Sequence, residues 1–149
     1  MIDKAKIAKL QSEPLMDLLI AQCSDLEALL ALARRENRAA GADDFGEVFA
    51  VAQERATLGN RLETYHRQIT ELRAQLGPSA ADLVGTTVAR ETVRLAMEIQ
   101  AQDQQTGSLL WAARTRTSHA ILQLHHKHRN TMAYLHGAPS SGLHCNRRA

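Results

Sequence analysis

A chain of 149 residues has room for one domain or for an elongated bundle with loose ends. Aromatic residues make up only 3% of it, and its 44% of hydrophobic residues are mostly Ala and Leu, so a layered sheet core is not expected. A formal net charge of +2 argues against a polyanion binder as the default.

That balance is uneven along the chain. Acids slightly exceed bases before Gly77, whereas no Asp or Glu follows Asp103. Arg114, Arg116, Lys127, Arg129, Arg147 and Arg148 then share the C-terminal third with six histidines, which makes it a basic limb. Cys23 and Cys145 are far apart and form neither a CxxC pair nor a disulfide framework. The opening Met-Ile-Asp-Lys-Ala-Lys and the short apolar run Leu18-Leu19-Ile20 predict neither a signal core nor a membrane span. A reducing, cytoplasmic setting is expected.

In chain order, residues 1–12 form a short charged segment in which Lys4, Ile7 and Leu10 allow a preliminary turn. Ser12 as a capping hydroxyl and Pro14 in a first turn predict a helix over about 13–40. Leu15, Leu18, Leu19, Gln22, Leu26, Leu29, Leu30 and Ala33 give it one apolar stripe, and Gly41 is its natural stop. Asp43 or Asp44 caps a second helix, with Phe45, Val48, Ala52, Arg55, Leu58, Leu62, Tyr65, Ile69, Leu72 and Leu76 in three–four alternation up to Gly77-Pro78. The short Gly-containing connection predicts an antiparallel hairpin.

The stretch from Ser79 to His136 contains no proline and predicts a third helix on the order of 80 Å long. Its stripe runs through Val84, Val88, Leu95, Ile99, Leu110, Ala113, Ile121, Leu124, Met132 and Leu135. Ala80 to Gly85 reads as a separate turn, and the helix is strong from Val88 onward. The polar run 100–106 predicts a hydrated layer or an exposed segment, in which any buried amide must be paired. Gly107 marks either a kink or a close backbone contact. The helix should end near Gly137, before Pro139. The expected organisation is therefore all-α: an elongated antiparallel helical hairpin packed on a long third helix, coiled-coil-like. One domain over 13–137 follows the 1–12 segment and precedes a flexible tail at 138–149.

Three stretches carry a resemblance. They are the first-helix motif Leu26-Glu27-Ala28-Leu29-Leu30-Ala31-Leu32, the second-helix end Leu72-Arg73-Ala74-Gln75-Leu76-Gly77, and a polar run opening into Gly107-Ser108-Leu109-Leu110. With Ile121-Leu122-Gln123-Leu124 and Tyr134-Leu135 they resemble the FlgN-like family of flagellar type III export chaperones over roughly residues 15–137. Gln104-Gln105-Thr106 stands where that family carries Asn. The resemblance implies a non-enzymatic protein without cofactor, metal or small-molecule substrate. It would bind the C-terminal helical segments of hook–filament junction proteins, prevent premature assembly and deliver them to the export apparatus.

Helices one and two are each too short to cover the whole third helix, so apolar surface is left over beyond Gly107. The expected partner-binding residues are Leu110, Trp111, Ala113, Thr117, Ile121, Leu124, His128 and Met132. Trp111 stays open between a core position and an anchor in the partner groove. His125 and His128 share a face with His119, His126 and His136 nearby; without a carboxylate in the region, a solvated cationic face is expected in place of a metal site. Nucleic acid is not the expected partner, because the basic limb lacks aromatic stacking platforms and a recognised binding fold. No Ser/His/Asp set or phosphate loop points to catalysis, and Glu91 and Glu98, seven apart, lack a His partner three residues on. A generic coiled-coil adaptor, a filament-cap or filament-subunit export chaperone, and a small basic nucleic-acid-binding protein remain the alternatives.

Overall fold

Two leucine-striped stretches joined by a short turn bury their stripes by folding back on one another. In the computed structural model, which describes residues 4–80 and 86–137, α1 (Lys4–Gly41) and α2 (Phe45–Leu76) form that antiparallel hairpin. A 3-10 turn, Gly77–Ala80, follows, and α3 runs from Thr87 to Gly137. Among the described residues the fold is all-α with three α-helices, the hairpin packing on the third. Packing divides the chain into two units, Met1–Leu110 and Trp111–Ala149, so the 13–137 domain expected from sequence spans both. The expected tail at 138–149, Val84 and most of the expected turn at 80–85 lie outside the described residues.

The helix ends depart from expectation at the start of α1. α1 begins at Lys4, so Ser12 and Pro14 lie inside it and do not start it. An interior proline removes one backbone N–H and crowds the preceding turn, typically at about 3 kcal/mol. Lys, Ala, Leu and Gln before Pro14 are good helix formers, and Leu15 and Leu19 just after it are buried, which carries the helix through. At the other end Gly41 is the last helical residue, as expected, and the left-handed position falls on Asp43, at φ 56°. Aspartate tolerates that conformation better than most side chains. Asp44 then caps α2, its carboxylate accepting from the Glu47 N–H at 3.1 Å. Gly77 ends α2 at φ 57°, donating its N–H to the Arg73 carbonyl. Thr86 starts α3, its hydroxyl accepting from the Ala89 N–H at 3.3 Å.

The core of the first unit is a seam with two apolar clusters. Leu15 and Leu19 of α1 meet Ile69 of α2, with Leu72, Leu76 and Val88 packed around them. Further along, Leu26 and Leu30 meet Leu95 and Ile99 of α3, flanked by Cys23, Leu29 and Leu62. The α1 stripe is buried or half-buried throughout, as its spacing predicts. On α2 the stripe needs two corrections. Phe45 is exposed because it is the first residue at the hairpin tip, and Val51, not Ala52, is buried. With Val51 in place the alternation from Val48 to Leu76 is an unbroken heptad.

Polar side chains lock the register of the three helices. Asp25 is buried and accepts from two nitrogens of Arg61, Nε at 2.8 Å and Nη2 at 2.6 Å. Glu36 is buried on α1 and paired with Arg55 of α2, whose second nitrogen lies 2.8 Å from Asp103 of α3. Hydrogen bonds to Asp103 and then Glu36 hold the Arg55 guanidinium above its ordinary range. Asn37 donates to the hydroxyl of buried Thr106 at 3.2 Å. No side-chain N or O among the described residues is buried without a partner.

A candidate partner-binding face on the third helix

The stripe of α3 follows an eleven-residue period, close to 3.67 residues per turn. One line of it reads Val88, Ile99, Leu110, Ile121 and Met132. A second reads Leu95, Thr106, Thr117 and His128, and a third Gln102, Ala113, Leu124 and Leu135. Members of all three lines are buried or half-buried as far as Ala113. From Thr117 onward every member is exposed. In fact each residue from Arg116 to Gly137 is exposed, although the apolar period continues without a break in phase.

The first part of this stripe lies against the hairpin. Leu95 and Ile99 sit against Leu26 and Leu30, Thr106 bonds Asn37, and the Leu109 methyl lies 3.9 Å from where a Cβ on Gly41 would stand. Gly41 ends α1, so Leu109 marks the level at which the hairpin turns back. The polar run splits between the two readings made of it. Asp103 and Thr106 are paired across the bundle, while Gln100, Gln104 and Gln105 are exposed. Gly107 lies within α3, and a Cβ there would meet nothing within 4 Å, so no close backbone contact accounts for it.

The expected partner-binding residues therefore fall into two groups. Leu110 is half-buried and Ala113 is buried. Trp111, Thr117, Ile121, Leu124, His128 and Met132 are exposed and lie in the second unit, as do Leu122, Tyr134 and Leu135. Trp111 keeps 70% of its surface in solvent, which removes the core reading. Its position follows from the wheel: one residue beyond Leu110, it stands on the shoulder of the stripe, about 100° away.

Local chemistry keeps the exposed stripe apolar. The Thr117 hydroxyl donates to the Ala113 carbonyl at 3.1 Å, and the Thr131 hydroxyl does the same to Lys127 at 3.0 Å. Both hydroxyls are satisfied within the helix, leaving methyl groups for contact. Arg129 lies 2.9 Å from Nδ1 of His126. Among the described residues, no three His, Cys, Asp or Glu side chains converge where they could hold a metal ion, and no helix is long and apolar enough to cross a membrane. An open cleft of about 480 Å³ lies elsewhere, between α1 and α2, lined by Pro14, Asp17, Leu18, Gln68, Glu71, Leu72 and Gln75.

Sequence reasoning missed the Asn37–Thr106 and Glu36–Arg55–Asp103 ties, because polar pairing across helices has no local signal. The acid and base at Glu36 and Arg55 could have been found only by assuming the hairpin register. Compared with known proteins, the chain matches no family model, no curated protein and no solved structure.

Proposed function

We propose that this protein is a cytoplasmic export chaperone of the flagellar type III system, without catalytic activity of its own. It takes up the C-terminal helical segments of hook–filament junction proteins, keeps them from assembling early, and hands them to the export apparatus. The observation that carries this reading is the apolar stripe of Arg116–Gly137, in phase with a buried one and itself wholly exposed. A stripe of that kind matches an amphipathic helix lying along it, which is how helical segments are recognised. A junction protein held before assembly presents such a segment, and ordering it on the stripe would shield both apolar surfaces.

A coiled-coil adaptor would use the same face, and the identity of the captured protein separates the two readings. The test is co-purification of the full-length chain with junction proteins, alongside an Ile121→Glu/Leu124→Glu double variant. Capture by the parent chain and loss in the variant support the chaperone. No capture, or capture unchanged by the variant, overturns it or moves its site.

A further inference from the structure

A partner for the exposed stripe must satisfy its charges as well as its apolar side chains. With residues placed about 100° apart, Arg114 and Arg129 fall on one shoulder of the stripe and Arg116 and Lys127 on the other. Arg114, Lys127 and Arg129 are exposed, and no Asp or Glu follows Asp103 to offset them. We infer that the stripe from Thr117 to Leu135 receives an acidic amphipathic helix, whose apolar ridge covers Ile121, Leu124 and Met132 while its carboxylates meet the cations on both shoulders. This rests on the chaperone reading and names the chemistry of the segment held.

Charge excludes the simpler occupants. A second copy of this helix would set Arg and Lys against Arg and Lys in either orientation, with no acid to relieve them. A polynucleotide needs cations gathered on one face so that phosphates can follow them. Here the cations stand apart, separated by Ile121, Leu124 and Met132, which offer phosphate nothing. An acidic amphipathic helix fits both the centre and the edges. Trp111 and Tyr134, both exposed, stand near the two ends of the stripe, where large amphipathic side chains anchor a bound helix.

The experiment uses the full chain and three synthetic helices of about 25 residues, long enough to span the stripe and reach Trp111. All carry the same apolar residues at three–four spacing and differ only in their shoulders: Glu, Gln or Lys. Fluorescence anisotropy should show the Glu peptide binding about tenfold tighter than the Lys peptide, since several exposed charge pairs each contribute a small factor. Raising salt from about 0.05 M to about 0.5 M should shrink that preference. An Arg114→Glu/Lys127→Glu/Arg129→Glu variant should reverse it, which a merely unfolded protein could not do. Equal or tighter binding of the Lys peptide overturns the inference. So does tighter binding of a single-stranded oligonucleotide, or self-association of the chain at concentrations below those at which the Glu peptide binds. Loss of the charge preference with junction-protein capture intact removes the acidic partner and leaves the chaperone. A retained preference without capture does the reverse.

Discussion

Leu95 and Leu124 belong to the same apolar face of the same helix, and the same substitution should have opposite consequences at the two. Leu95 is 2% exposed and sits among Leu26, Leu30 and Ile99. Truncation to alanine removes buried carbons and leaves a cavity, a change that costs about 2–5 kcal/mol in well-packed cores. The seam between the helices is narrow enough to relax partly, so Leu95→Ala should cost about 3 kcal/mol. Leu124 is 63% exposed, so little burial is lost, and alanine is the better helix former. Leu124→Ala should change stability by no more than about 0.5 kcal/mol. Urea unfolding followed by far-ultraviolet circular dichroism measures both. A midpoint for Leu124→Ala as low as that of Leu95→Ala would refute the reasoning, because it would mean that the distal stripe is already covered in the free protein.

Other outcomes follow from individual sites. Arg55→Ala leaves the Glu36 carboxylate buried without its partner and should cost about 2–3 kcal/mol, whereas Arg34→Ala, at the exposed pair with Glu98, should cost under about 1 kcal/mol; equal urea midpoints would contradict this. Trp111 should emit as a solvent-exposed indole, quench readily with acrylamide, and shift to the blue when the acidic peptide binds; a blue, protected emission in the free chain is the contrary result. Burial, then Glu27 and Glu91, push the Cys23 thiol up, so in a Cys145→Ser background it should react with a disulfide reagent at least about tenfold slower folded than in urea. Rates that agree would remove that argument. Arg94, bonded to both oxygens of Glu91, holds that carboxyl below its usual range. Its contribution is therefore present above the unfolded-state value and lost as pH falls through the folded one. Titration by nuclear magnetic resonance should give a higher midpoint for Glu91 in Arg94→Ala, and an unchanged midpoint would count against the pairing.

Much of the fold was legible because it rests on spacing. The α1 stripe, the Asp44 cap (one of the two aspartates expected to serve) and the Gly77-Pro78 stop are local signals, and each appears where it was expected. Pro14 was misread because the same residue that suits a first turn can be carried by strong helix formers before it and buried leucines after it. Gly41 ends α1 as expected, and the left-handed residue of the turn, Asp43, has no signal that sets it apart from its neighbour Asp44. Val51 was missed in favour of Ala52 through a one-residue slip where the α2 heptad begins.

The candidate site was legible in part, through the length mismatch between the hairpin and the third helix. The sequence alone could not say where the cover ends, since Ile99 and Ile121 occupy equivalent places in the eleven-residue period and only packing tells them apart. Leu110 and Ala113 accordingly fall on the covered side of a boundary that the sequence placed at Gly107.

The central claim is that the distal stripe of α3 is the seat of the partner, and amide hydrogen exchange on the full chain tests it most directly. In the free protein, amides from Arg116 to Gly137 should exchange faster than those of Leu26–Ala33 and Leu95–Ile99. Addition of a junction-protein C-terminal segment should slow exchange across residues 117–135 and leave α1 and α2 as they were. Protection on the hairpin with none between Arg116 and Gly137 would contradict the account.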